Sequence, residues 1–234
     1  SGTASLDSHQ RAKMRKAFLN PLKLMYSDGL LPAYNDGWPT VRVTDNADLY
    51  EIASKLFPEF ELTPALGDIY SHGASRGLRL FTRSFNPLWG HTTVEQLAPR
   101  NSVAALLFGP DEISSEKRLK NESTLLQYSG IGVLRDANVR LAMRFGPYGG
   151  GHDHRDRLGV DVETASGWRS LDLGTSGYGA AITNAWQRSA AAHNTISIDG
   201  QKQDGRAGRL TRWTEDSLSA AVDDAYPGVV MRRS

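Results

Sequence analysis

The spacing of apolar residues changes near residue 120, and this change constrains the fold more than any other feature of the sequence. Before it, apolar residues recur every three or four positions, the spacing of an amphipathic helix. After it they alternate with polar or small residues, as at Val139, Leu141, Met143 and Phe145. A period of two is typical of a strand with one buried face. Helices followed by strands predict an α+β fold, with the two kinds of element segregated along the chain.

Three helices are predicted in the first part. One covers residues 7–25, where Pro21 is expected to kink or split it. A second carries an apolar stripe over residues 49–57 and ends before Pro58. A third begins at Thr63–Pro64, because proline suits the first position of a helix. Between the first two helices, glycine and proline predict a structured loop over residues 27–40, and a helical turn is expected near residues 78–81.

Alternating or β-branched runs predict the strands of the second part. They are Leu125–Tyr128, Ile131–Arg135, Asn138–Phe145, Leu158–Val162, Trp168–Leu173, Thr195–Ile198, Leu210–Thr214 and Leu218–Val222. We place the boundary between a helical domain, residues 1–115, and an antiparallel β domain, residues 116–234, at the change of period.

The composition excludes several classes of function. A chain of 234 residues with a net charge of +1 has no bulk field to attract nucleic acid or a membrane surface. No apolar run approaches the roughly 20 residues needed to span a bilayer, and the first ten residues lack the regions of a signal peptide. We therefore expect neither nucleic acid nor membrane as a partner. The sequence contains no cysteine, so a transition-metal site would consist of histidine, carboxylate and water.

Four groups that can bind a metal or transfer protons fall within a short β-rich span: His152, His154, Asp172 and His193, with Tyr178 between the last two. His152 and His154 are two residues apart, so on a strand both would point to one face. Asp172 follows across a turn, as a hairpin partner would. His154, Asp172 and His193 could thus form a two-histidine, one-carboxylate site suited to zinc.

The remaining histidines, His9, His72 and His91, are interpreted as surface or structural residues, the commoner role of an isolated histidine. Tyr178 lies in a glycine-lined loop where little packing is available, which favours a functional role.

Three arginines near the histidines, Arg155, Arg157 and Arg188, are either solvated surface charges or partners of an anionic substrate, and the sequence does not choose between them. The glycine run Gly149–Gly151 lacks the lysine and hydroxyl of a phosphate-binding loop. We interpret it as permitting close approach of substrate to the backbone.

Three motifs, in this order, resemble the heparinase II/III superfamily of polysaccharide lyases, which includes the oligo-alginate lyases. GGHDHRD corresponds to the family's glycine-led His-x-His followed by aspartate, DLGTSGY to its D-L-G-x-x-x-Y segment, and HNTISIDG to its H-N-T-[VI]-x-[VI]-D-G segment. The resemblance covers residues 145–203 and extends more weakly to LLPAYNDGW at residues 30–38.

This resemblance implies part of an α/α toroid followed by an antiparallel, β-sandwich-like domain whose final sheets are incomplete. It implies one structural zinc ion held by His154, Asp172 and His193, while His152 and Tyr178 face the substrate as catalytic residues. The family's toroid is much longer and supplies a further asparagine, histidine and tyrosine, for which this sequence has no matching motif. The implied partner is an anionic polysaccharide or oligosaccharide, and a homo-oligomer remains open.

The predicted function is β-elimination on a uronic-acid-containing polysaccharide, with alginate oligosaccharide ahead of heparin or heparan sulfate. One alternative is a hydrolase of metallo-β-lactamase type, since HDHRD contains H-x-H-x-D, although Arg157 stands where that motif continues with histidine. Another is a non-catalytic fragment that binds metal or sugar. For the lyase, a periplasmic or secreted location is expected, with the cytoplasm open for an oligosaccharide lyase.

Overall fold

The α+β order is confirmed by the computed structural model, which describes residues 6–73, 100, 102–113, 122–170 and 172–234. Helices come first and antiparallel strands follow. The chain forms two compact units, residues 1–29 with 42–120, and residues 30–41 with 121–234. The predicted domain boundary at residues 115 and 116 stays a prediction. Within the described residues, no helix is long and apolar enough to cross a membrane.

The first unit contains the helices. They are α1 (Ser8–Leu24), α2 (Ala47–Leu56), α3 (Thr63–Ser71) and α4 (Val103–Phe108), with single 3-10 turns at Val43–Asn46 and Pro58–Phe60. At the start of α1, Asp7 accepts a hydrogen bond from the Gln10 amide at 2.8 Å, and the Gln10 side chain accepts one from the Asp7 amide at 2.9 Å. This reciprocal pair satisfies donors that a helix start otherwise leaves unpaired.

The prolines mark helix ends as predicted, with one exception. Pro58 follows the end of α2 and Pro64 lies in the first turn of α3, which confirms both predictions. Pro21 lies inside α1, which continues through it as one helix, so the helix is not split there, and the alternative of a kink stays a prediction. The turn predicted near residues 78–81 lies outside the described residues.

The second unit contains two antiparallel sheets. The first has the order β1 (Thr124–Leu126), β2 (Ile131–Arg135), β3 (Val139–Arg144), β4 (Val160–Thr164) and β5 (Arg169–Ser170). The second has the order β6 (Gly208–Trp213), β7 (Leu218–Tyr226) and β8 (Val229–Arg233). Each sheet joins strands that are neighbours in sequence, so the topology is a simple meander in both.

One apolar core joins the two sheets. Its buried residues include Met143 of β3, Val222 of β7 and Met231 of β8. A Cβ atom on Gly132 of β2 would lie 2.6 Å from a methyl group of Leu218, so the absence of a side chain there allows close packing. Face-to-face packing of two antiparallel sheets is the sandwich-like arrangement predicted for this part of the chain.

One strand prediction near the site, that for residues 195–198, is wrong. His152 ends a 3-10 turn, Gly150–His152, so the argument that places His152 and His154 on one face of a strand does not apply. Residues 195–198 are irregular, although Ile196 and Ile198 pack against the core that joins the sheets while Ser197 is exposed. Apolar and polar residues alternate in this segment because every second side chain is packed against the core. The segment lacks the ladder of hydrogen bonds that defines a strand. Sequence reasoning did not predict β8 or the single π-helical turn at Thr183–Gln187.

Candidate active site

The five predicted site residues all lie in the second unit, on the irregular segments that follow its strands. Residues 149–157 connect β3 to β4, residues 172–178 follow β5, and His193 comes just after a 3-10 turn, Ala190–Ala192. The loop of residues 30–41 belongs to the same unit. Function on loops carried by a rigid scaffold is a common arrangement in enzymes.

Arg144, the last residue of β3, connects two of these segments. Its guanidinium donates hydrogen bonds to Asp156 and Asn35, and to Asp153 at 3.2 Å. The same group lies 4.8 Å from the ring centroid of Tyr34. Burial disfavours the charged guanidinium, but the nearby carboxylates outweigh this effect, and the pKa of Arg144 is raised.

Asp153 lies between the two histidines and sets the path of the chain around them. Its buried carboxylate accepts hydrogen bonds from the amide of Gly149 at 2.7 Å, the amide of His154 at 2.9 Å and the guanidinium of Arg157 at 2.5 Å. Burial opposes ionisation, yet these donors and the two arginines hold the pKa of Asp153 below its usual value. A charged aspartate therefore fixes the turn that positions His152 and His154.

Asp36 is a site residue that sequence reasoning missed. One carboxylate oxygen lies 2.8 Å from Nδ1 of His152, and the other lies 3.3 Å from Nε2 of His154. Burial opposes its ionisation, but hydrogen bonds from His152, His154 and Tyr178 lower the pKa of Asp36. The signal available in the sequence was the weak family resemblance of residues 30–38, which contain this aspartate.

His152 and Tyr178 form an exposed pair. The Tyr178 hydroxyl lies 3.1 Å from Nδ1 of His152, and the rings meet edge to face. Tyr178 is 71% exposed, and the side chain of His152 is 78% exposed. The pKa of Tyr178 is raised, first by partial desolvation and then by its hydrogen bond to Asp36 and the charge of Asp36. Tyr178 therefore carries its proton at neutral pH.

A cluster that can hold a metal ion lies beside this pair. Ligand atoms of Asp156, Asp172 and His193 all lie within 4.8 Å of one another. Nδ1 of His193 is 3.0 Å from Asp172 and 3.8 Å from Asp156. The Asp156 oxygen that faces His193 accepts a hydrogen bond from Arg144, and the other oxygen, which has no hydrogen-bond partner, lies 3.7 Å from Arg157. The fit to a metal therefore rests on the donor types, an imidazole and two carboxylates, which suit zinc.

His154 contacts this cluster at the imidazole ring of His193. Its Nδ1 lies 3.3 Å from Nε2 of His193, the nitrogen opposite the one that faces Asp172. His154 is fully buried, and burial together with the charge of His193 lowers its pKa. The pKa of His193 is raised, because Asp172 and Asp156 outweigh the effect of its burial. A neutral imidazole at His154 has the form that can bind a metal.

The structure thus brings the predicted residues into one chain of contacts. Tyr178 contacts His152, His152 and His154 share Asp36, His154 contacts His193, and His193 contacts Asp172. Asp172 and His193 are ligands in the predicted metal site and also members of the observed cluster. The third member of the cluster is Asp156, whereas the prediction named His154. The ligand role of His154 and the catalytic roles of His152 and Tyr178 stay predictions.

Comparisons with known proteins agree with the motifs. The family model described as heparinase II/III-like, C-terminal, matches residues 118–234. Heparan sulfate lyase HepC from Pedobacter heparinus is 15% identical with a TM-score of 0.65, covering 97% of this chain and 31% of its own. The crystal structure of a heparinase III is 19% identical with a TM-score of 0.62, and the match covers 97% of this chain and 32% of that protein. The chain spans about a third of these proteins, and no curated protein sequence matches it.

The contacts of Arg144 predict a large loss of stability in Arg144→Gln. Removing the cation leaves Asp156 buried without its closest cation and takes one of two arginines from Asp153, which costs about 3 kcal/mol or more. The difference from wild type should be present at pH 7 and shrink below about pH 4, because the pKa of Asp153 is lowered in the folded protein and its charge is lost as the pH falls through that value. Urea unfolding in a chelating buffer measures both effects.

The matched control is Arg212→Gln, which removes one positive charge from an exposed position on β6. It should change the free energy of unfolding by less than about 0.5 kcal/mol. An Arg144→Gln variant as stable as this control at pH 7 would show that the buried ion cluster does not hold the site segments.

Proposed function

We propose that this chain, which belongs to the heparinase II/III-like family, cleaves a uronic-acid-containing polysaccharide by β-elimination. The observation that carries the proposal is the exposed pair of His152 and Tyr178, joined at 3.1 Å, with His152 bonded at 2.8 Å to the half-buried loop residue Asp36. Two groups that can transfer protons are thereby fixed side by side and open to a large substrate. Such preorganisation is what acid and base catalysis requires.

β-Elimination makes three demands on an active site. The enzyme must stabilise the sugar carboxylate, remove the weakly acidic proton on the adjacent carbon, and protonate the departing glycosidic oxygen. The bond to the leaving oxygen breaks as a carbon–carbon double bond forms in the uronate. No water is added, so the product is an unsaturated uronate.

Tyr178 is assigned the proton transfer to the leaving group. Its pKa is raised by partial desolvation and by Asp36, so the hydroxyl holds a proton in the resting site. A phenol beside a solvent-exposed imidazole can donate this proton to an oxygen of the sugar chain. The 71% exposure of Tyr178 leaves room for a polymer to approach it.

His152 is assigned the role of base or charge stabiliser, and Asp36 is a positioning residue for it. An ionised carboxylate only accepts hydrogen bonds, so Nδ1 of His152 carries the hydrogen that Asp36 accepts at 2.8 Å. The other nitrogen, Nε2, is then without a hydrogen and can accept a proton from the substrate. A carboxylate that fixes the tautomer of a catalytic histidine is a recurring device in enzymes.

A zinc ion is proposed to hold the loops that carry these groups. Asp172 and His193 are the ligands common to the predicted set and the observed cluster, with His154 from the prediction and Asp156 from the cluster as the other candidates. When bound, the ion would supply positive charge to a group of carboxylates and imidazoles and lock their orientation. The proton transfers are assigned to His152 and Tyr178 alone.

The substrate class has two candidates. The motifs resemble the oligo-alginate branch of the family, which favours alginate oligosaccharides. The similar solved structures include a heparan sulfate lyase, which favours heparin or heparan sulfate. Incubation of the chain with alginate, heparin and heparan sulfate, followed by absorbance of unsaturated uronate, identifies the substrate. Absence of product from all three would leave binding without turnover as the function of this chain.

Replacement of Tyr178 by phenylalanine should reduce kcat by about 100-fold or more, because the variant lacks the proton that the leaving oxygen receives. Formation of unsaturated uronate measures the rate. Tyr128→Phe is the matched control, since Tyr128 is 97% exposed on a turn of the same unit, and it should have the wild-type rate. Near wild-type production by the Tyr178→Phe variant would remove Tyr178 from the mechanism.

Asp36→Asn should also lower kcat, by about 100-fold, with little change in KM. The amide can donate to Nδ1 of His152 and so favours the wrong tautomer, while Tyr178 remains in place. The pH profile of kcat separates positioning from a structural defect, because a changed tautomer alters the shape of the profile whereas partial unfolding lowers kcat at every pH. Asp199→Asn, an exposed change in a turn, is the control. An unaltered pH profile with normal kcat would contradict this role for Asp36.

The metal proposal predicts one zinc ion per chain after dialysis, measured by atomic emission. Asp172→Asn and His193→Ala should lose the ion, whereas Tyr178→Phe and His9→Ala should retain it. Zinc at a thousandfold excess over Kd stabilises a folded chain by about 4 kcal/mol, so chelation should lower the melting temperature of wild type. His154→Ala and Asp156→Asn then show which of the two residues is the third ligand. A wild-type chain without zinc contradicts the proposal.

A further inference from the structure

A cavity of about 230 Å³ lies in the second unit, beside the loop that carries His152. Three cations line it, Arg155, Arg188 and Lys202, and Asn184 and Ser189 add uncharged polar groups. Asn184 and Lys202 are exposed, so the cavity opens to solvent. Its lining therefore offers several donors of hydrogen bonds to a ligand that enters from outside.

The carboxylate in the lining does not neutralise these cations. Asp153 is bound by two other arginines, Arg157 at 2.5 Å and Arg144 at 3.2 Å. Arg155 has a distant partner in Asp204, 3.8 Å away, and both of these side chains are more than a third exposed. An exposed pair at that distance is weak and screened by salt. The cavity thus keeps an excess of positive charge.

Arg188 is the cation that connects the cavity to the catalytic pair. Its guanidinium donates to the backbone carbonyl oxygens of Gly151 and Asp153, the residues on either side of His152. Within the part of the chain that the structure describes, no carboxylate pairs with it. Its charge also acts on Tyr178, where it lowers the pKa against the effect of Asp36. Arg188 is therefore fixed by backbone contacts and keeps its charge available.

A fixed guanidinium with a second arginine and a lysine nearby is suited to an oxyanion. Guanidinium groups bind carboxylate or sulfate oxygens through paired hydrogen bonds, and an ammonium group adds charge without a fixed direction. The polar lining would not favour an apolar ligand. The cavity is large enough for a small charged substituent and open enough for the sugar that carries it.

We propose that Arg155, Arg188 and Lys202 form a subsite for the sulfate or carboxylate group of an acidic sugar in the chain that approaches His152 and Tyr178. The subsite deepens the proposed function and rests on it, since a polyanion held there would lie beside the segment that carries His152. With sulfate as its ligand, the subsite would distinguish a sulfated polymer from an unsulfated one. Binding at the subsite does not depend on turnover.

The test is calorimetric titration of Arg155→Gln/Lys202→Gln, in the Tyr178→Phe background to stop cleavage. The probes are a sulfated uronate–glucosamine tetrasaccharide and its unsulfated counterpart. The Kd of the double variant for a probe that occupies the subsite should be at least about tenfold higher than that of the parent, since charge-assisted contacts are lost. A loss for the sulfated probe alone identifies sulfate as the ligand, and equal losses identify carboxylate. Lys202→Glu, a single exposed change, should weaken binding in the same direction.

Arg212→Gln is the matched control, because it removes a positive charge from an exposed strand of the same unit, and it should bind both probes as wild type does. Unchanged binding by the double variant, or no binding by the parent chain, overturns the subsite. Binding that depends on the subsite, without unsaturated product from the wild-type chain, overturns the lyase function and leaves the subsite standing.

Discussion

The buried contacts of Arg144 hold the site together. This residue ends β3. Its guanidinium binds Asp153 and Asp156, which lie in the segment of residues 149–157, and Asn35, which lies in the loop of residues 30–41. A charge taken out of water is costly unless it is paired, so the contacts depend on one another, and removing one member leaves the others uncompensated. For the same reason the pKa of Arg144 is raised and the pKa of Asp153 is lowered, because each charge stabilises the other. Segments distant in sequence are thereby brought to one place.

The site divides into a buried part and an exposed part. His154, His193 and Asp156 have almost no solvent contact, whereas His152 and Tyr178 are open to solvent. Asp36 joins the two parts, because one of its oxygens contacts His152 and the other contacts His154. The proposed chemistry needs this combination, since a long polymer must reach the proton-transfer groups while the groups that hold them stay rigid.

Sequence reasoning predicted the elements better than the contacts. The strands β2 and β3 follow from alternation, and the ends of α2 and α3 follow from proline, because these signals are local. A glycine run and the donors around Asp153 form a tight turn at His152, so the same-face argument, which is conditional on a strand, does not apply there. The importance of Arg144 was invisible, since a charged residue on an alternating strand is as easily exposed as buried.

By itself, the sequence determined the α+β order, the residue types available for chemistry and the three motifs that identify the family. Only the tertiary structure decided that Asp36, more than a hundred residues before His152, supplies the carboxylate that contacts both His152 and His154. It also decided that Arg188, which pairs with no carboxylate among the described residues, donates to the backbone on either side of His152. The physical reason is that hydrophobic period and turn chemistry act between neighbours in the chain, whereas the pairing of buried charges depends on which segments fold against one another.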